Sequence, residues 1–94
     1  MEQTRPFIPP HSMEAEKSVL GSMLLDQDAV AAAMETLTEE DFYAPAHQVI
    51  FSAMAQLYRS AQPIDLVTLV DVLEQRNEVT KAGGMEYIAQ LSRT

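Results

Sequence analysis

Apolar residues recur at helical spacing along most of this chain. Val19, Leu20, Met23 and Leu24 form one stripe. Val30, Ala33, Met34 and Leu37 form a second, and Leu66, Leu69, Val70 and Leu73 a third, both in the i, i+3, i+4, i+7 pattern of a helix with one buried face. The segment from Pro45 to Ser60 differs. Its polar positions Gln48, Ser52, Gln56 and Ser60 recur every four residues and are uncharged, while Val49, Ile50, Phe51, Ala53, Met54, Leu57 and Tyr58 fill the rest. A narrow neutral stripe on an otherwise apolar helix predicts burial on most sides, so this helix is expected at the centre of the fold. Tyr87, Ile88 and Leu91 define the inner face of a last helix. No useful run alternates with the period of a strand. The pattern predicts an all-α, compact single-domain bundle of about five helices plus a short helical turn.

Local signals punctuate these stripes. Residues 1–11 read as an extended arm, because Pro9 and Pro10 fix φ and bias Ile8 and Pro9 away from helix. The helical domain is then 12–94. Ser12 suits an N-cap, with Glu14 and Glu16 in the first turn where the helix dipole favours acids. Asp26-Gln27-Asp28 interrupts the pattern, and Asp28 is expected to cap the second helix. Thr38-Glu39-Glu40-Asp41 resembles a capping box with Asp in place of Glu, opening a short turn through Phe42 and Tyr43. Pro45 fits a first helical position, where a missing N–H costs nothing. Asp65 is expected to cap the next helix, Arg76-Asn77 to end it, and Gly83-Gly84 to make a turn of unusual φ.

Composition narrows the class. Ninety-four residues make one domain, and with 47% hydrophobic residues the chain can bury roughly 60–65% of its unfolded surface in one small core. There are no cysteines, which removes disulfides and thiolate metal sites and fits a reducing, cytoplasmic setting. Met1 to Ser12 holds three prolines and no apolar run, so it does not read as a secretion signal. The stretch 42–58 lacks formal charge, but Pro45, His47, Gln48, Ser52 and Gln56 argue against a membrane span. The formal charge is −8, and the six basic residues Arg5, Lys17, Arg59, Arg76, Lys81 and Arg93 stand singly. Nucleic-acid affinity comes mainly from Lys and Arg on phosphates, so the domain should repel a DNA backbone and prefer a basic protein partner.

Candidate chemistry is sparse. A phosphate-cradling G-x-x-x-x-G-K-[ST] loop cannot be built from Gly21, Gly83 and Gly84. The serines lack the sharp elbow of a nucleophile, and only His11 and His47 could serve as base. Glu39, Glu40, Asp41 and His47 could together hold a divalent metal. The plainer reading is that the acids serve a helix start and that His47 packs or hydrogen-bonds beside Tyr43 and Phe51, one turn either way. Of the six methionines most are expected to fill the core, with Met13 and Met85 exposed. Met85 after the glycine pair, Glu86 beside it, and Asp65 are the candidate partner-interface residues; no catalytic, cofactor or metal residue is assigned.

Four separated strings share one resemblance. They are Pro9-Pro10-His11-Ser12 with Glu14-Ala15-Glu16 and Ser18-Val19-Leu20-Gly21; Asp41-Phe42-Tyr43 with His47 and Ile50-Phe51; Pro63-Ile64-Asp65 with Thr68-Leu69; and Gly83-Gly84 with Tyr87-Ile88-Ala89 and Leu91. In this order and spacing, over residues 9–94, the chain resembles the N-terminal domain of the DnaB-type bacterial replicative DNA helicases. The resemblance implies a non-catalytic helical head, ahead of a helical hairpin and a RecA-like ATPase domain that lie outside these residues. It implies a parent that uses ATP and Mg, forms a hexamer with a trimer-of-dimers collar, encircles single-stranded DNA and unwinds the fork. The implied partners of the head are other helicase subunits, the C-terminal domain of primase, and a helicase loader. Alternatives are the helicase-binding domain of a primase, a stand-alone replisome adaptor, a small DNA-binding domain and a carboxylate metalloenzyme.

Overall fold

The computed structural model describes residues 12–93, so the arm at 1–11 lies outside the described residues. Among these, five α-helices and one 3₁₀ turn follow one another with no strand. The helices are α1 (Met13–Leu25), α2 (Gln27–Thr36), α3 (Pro45–Arg59), α4 (Leu66–Gln75) and α5 (Met85–Leu91), and the 3₁₀ turn is Glu39–Asp41.

Short-range chemistry sets most of the boundaries. Ser12 caps α1, its hydroxyl accepting from the Ala15 N–H at 3.1 Å. Asp26 both ends α1 and starts α2. Its N–H donates to the Ser22 carbonyl at 2.8 Å, and its carboxylate accepts from the Asp28 N–H at 2.9 Å. The second cap is therefore Asp26 rather than Asp28, because the chain breaks for only one residue and Asp28 already lies in the first turn. At the 3₁₀ turn, Asp41 Oδ2 accepts from the Thr38 N–H at 2.8 Å. Asp65 and Thr68 make a reciprocal capping box at α4, with 2.9 and 3.0 Å bonds.

Helices α3 and α4 stop in the same way. Past each end, one residue turns left-handed: Ala61 at φ 56° and Asn77 at φ 57°. Beyond α3, Ala61 N–H reaches the Tyr58 carbonyl and Gln62 N–H the Leu57 carbonyl, both at 3.0 Å. Beyond α4, Asn77 and Glu78 repeat the pattern onto Glu74 and Leu73 at 3.1 and 2.8 Å. These are Schellman closures, which satisfy the last carbonyls of a helix. Asn tolerates this φ; Ala does so only with strain.

Helix α3 lies centrally, packed against α1, α4 and the 3₁₀ turn, while α1 also meets α2 and α5, and α4 meets α5. His47, Ile50, Phe51, Ala53, Met54 and Leu57 on α3 are buried. Tyr58, counted with its apolar positions, is an exception at 44% exposure. The Phe42 and Phe51 rings pack with centroids 5.0 Å apart. Leu20, Met23, Leu69, Leu73, Ile88 and Leu91 bring the other helices into the same core.

Candidate functional site

Two features stand out beyond the core, a largely buried polar clasp and an open apolar groove. The clasp begins with Glu16. Its position on α1 lies one turn before Leu20, on the buried stripe rather than on the solvent face, and only 1% of the residue is exposed. Carboxylates are rarely buried unless partnered. Here Oε2 accepts from the Tyr43 N–H at 2.6 Å, and Oε1 accepts from the Ala44 N–H at 3.3 Å and lies 2.7 Å from His47 Nδ1. Tyr43 and Ala44 lead directly into α3, which has no side-chain cap and no acid in its first turn. Glu16 thus supplies from α1 the negative charge and the hydrogen-bond acceptors that the sequence of α3 lacks at its positive end.

His47 extends the clasp. It is fully buried, and its Nε2 meets the hydroxyl of Tyr87 on α5, with the two rings stacked at 5.8 Å and 14°. A carboxylate can only accept, so the network puts the imidazole proton on Nδ1 facing Glu16 and leaves Nε2 to the phenol. Burial pushes the Glu16 carboxyl up. The His47 hydrogen bond, the Tyr43 and Ala44 amides and attraction to the imidazole outweigh this and hold it below the ordinary value of 4.5. Burial, reinforced by the charges of Glu16 and Glu14, pushes the Tyr87 phenol up, so it stays a donor. The sequence of groups, carboxylate to imidazole to hydroxyl, matches that of a hydrolytic triad. Glu16 and His47 are closed to solvent and Tyr87 is partly buried. The relay ties α1, α3 and α5 together.

Tyr87 lies on the inner face of α5, as its register predicts, while Glu16 and His47 have partners that the local pattern does not name. The sequence predicts Glu16 as a first-turn acid serving the dipole of its own helix, and His47 packing or hydrogen-bonding beside Tyr43 and Phe51; His47 does hydrogen-bond, but to Glu16 and Tyr87. Tyr43 instead turns 86% of itself to solvent and contributes only its backbone N–H. The available signal was register: Glu16 and His47 are polar residues at apolar-stripe positions. The acids Glu39 and Glu40 are exposed and Asp41 is used by Thr38. Among the described residues no three His, Cys, Asp or Glu side chains converge as metal ligands would.

The groove runs between α4 and α5. Met85 is 53% exposed and forms part of its wall, as expected for an adaptable surface residue. Glu86 is exposed in the first turn of α5, and Asp65 is exposed at the start of α4, occupied by its capping box with Thr68. The turn before α5 is built on Gly83 and Gly84, at φ 103° and 93°. A Cβ on Gly83 would sit 2.6 Å from Cδ2 of Tyr87, so this glycine also makes room for the ring that closes the clasp. No helix among the described residues is long and apolar enough to cross a membrane.

The fold and the clasp define a class, an all-α domain whose first, third and fifth helices are joined by a buried polar relay. The comparisons give the family. Residues 8–94 match the model of the DnaB-like helicase N-terminal domain. The chain is 43% identical over 84 residues to the replicative DNA helicase DnaB of Leifsonia xyli, which covers 89% of this chain and 18% of that protein. It is 44% identical over 85 residues to the DnaB of Geobacillus stearothermophilus, covering 90% of this chain and 19% of that one. The crystal structure of the N-terminal domain of DnaB helicase from Mycobacterium tuberculosis superposes with a TM-score of 0.83 at 42% identity, over 92% of this chain and 60% of that one. This chain belongs to the DnaB-like helicase N-terminal domain family. It spans less than a fifth of the length of the curated helicases just described.

Proposed function

We propose that this domain is the non-catalytic head of the collar of a hexameric replicative DNA helicase, joining subunits and receiving the C-terminal domain of primase. The parent unwinds the replication fork in the cytoplasm with ATP and Mg, bound by a motor domain outside these residues. A helicase loader is a further partner, and single-stranded DNA is engaged by the parent ring rather than by this acidic head. The observation that carries the reading is the family match over residues 8–94. The −8 charge and the lack of a phosphate-cradling loop agree with a protein-binding rather than an ATP- or DNA-binding role. Asp65, Met85 and Glu86 are the interface residues proposed. Isothermal titration of this chain with a purified primase C-terminal domain tests the reading. Saturable binding, with no ATP hydrolysis by the chain alone, is the expected result. Absence of binding at concentrations up to hundreds of micromolar, where even weak specific contacts register, overturns the primase assignment.

A further inference from the structure

The groove between α4 and α5 has a volume of about 480 Å³ and apolar walls of Leu66, Val67, Val70, Met85 and Ala89. Val67, a β-branched residue with no polar function, is 77% exposed there. Leaving Val67 and much of Met85 in water forgoes the burial that apolar side chains gain in a core. Clustered exposure of this kind marks an interaction surface. Asp71 and Glu74 stand along the rim on α4, and no residue in the lining is basic. Glu86 adds another exposed acid at the start of α5. A second copy of a chain of charge −8 would bring acids onto these acids, and a nucleic acid would do the same with phosphates.

We infer that this groove docks an amphipathic α-helix of a partner protein, with an apolar face at i, i+3, i+4, i+7 and Lys or Arg on its flanks. The two parallel demands, apolar floor and cationic rim contacts, are those of the helix-in-groove mode of recognition. The ten residues of α4 give a floor about 15 Å long, two to three turns of an occupant. Met85 adjusts its unbranched chain to the incoming side chains. The inference rests on the reading of this domain as a protein-interaction head, and it names the chemistry of the partner element.

The test uses the ¹⁵N-labelled chain and a synthetic helix of about 14 residues with Leu at the four anchor positions and Lys on the flanks. Two control peptides carry Glu for every Lys, or Ser for every Leu. The Leu/Lys peptide is expected to shift the amide resonances of Val67, Val70, Met85 and Ala89, and its binding to weaken with salt. Val67→Asp and Met85→Asp are each expected to weaken it by about tenfold or more, with the melting temperature unchanged, since both side chains face solvent. Shifts centred elsewhere, equal binding by either control, or insensitivity to Val67→Asp overturns the inference. So does dimerisation of the chain through the same residues in sedimentation. If primase binds but ignores Val67→Asp and the peptide does not bind, the groove inference fails while the collar reading stands. If the peptide binds at the groove and primase does not, the reverse holds.

Discussion

At the scale of single residues, Glu16 carries the most consequence. One carboxylate satisfies two backbone N–H groups at the entry to α3 and the Nδ1 of a sealed imidazole. Removing its charge leaves three donors facing a poorer acceptor in a place closed to solvent. Glu16→Gln is expected to cost about 1–3 kcal/mol, the usual penalty for an unsatisfied buried group. The pH dependence has a definite sign. The carboxyl is held below its ordinary value of 4.5 in the folded state. The unfolded chain therefore takes up its proton first as pH falls. The stabilisation is complete above 4.5 and is lost as pH drops through the folded value. Urea unfolding from pH 7 downward should show the native chain losing stability on this acid limb, and Glu16→Gln should flatten that limb. An unaltered limb in Glu16→Gln would mean that the carboxylate contributes nothing to acid stability. Register marks Glu16 as a polar residue on the apolar stripe, one turn before Leu20, but does not name its partners. Only the docking of α3 decides that this acid meets the Tyr43 and Ala44 amides and His47.

At the scale of elements, the ends of helices separate what is local from what is not. Ser12, Pro45, Asp65 and the Gly83-Gly84 pair act within three or four residues of themselves, so sequence reasoning found them. Ala61 gave no signal, because alanine is a helix former and nothing in its type announces φ 56°. It is held there because α3 must stop for Ile64 to turn back into the core, where it is 8% exposed. Ala61→Gly is expected to stabilise the domain by about 1 kcal/mol, seen as a rise in melting temperature, by removing a Cβ from a left-handed residue. Gly83→Ala is expected to do the opposite by more than this, because it combines a positive φ with a Cβ 2.6 Å from the Tyr87 ring. A neutral Gly83→Ala would show that the turn and the ring shift cheaply.

At the scale of the whole molecule, α3 is the shared partner of α1, α4 and the 3₁₀ turn, and the clasp extends that sharing to α5. Leu57, 2% exposed near the end of α3, tests this centrality. Leu57→Ala is expected to cost about 2–5 kcal/mol through the cavity it leaves. Chemical denaturation measures it, and a loss well under that range would place α3 at the periphery. The resemblance to replicative helicase heads, read from four strings of residues, agrees with the matched family and with the superposition on the Mycobacterium tuberculosis domain.

By itself the sequence determined the all-α class, the number of helices and nearly all their starts, because apolar period, caps, proline and glycine act over a single turn of chain. It also determined the acidic character and the exposure of Met85. Tertiary structure alone decided that Glu16 caps α3 from another helix, that His47 joins Glu16 to Tyr87 rather than packing by Tyr43, and that α4 and α5 leave an apolar groove between them. Those pairings link residues 31 and 40 positions apart. The free energy of such a contact depends on how whole helices pack, and no local period encodes that.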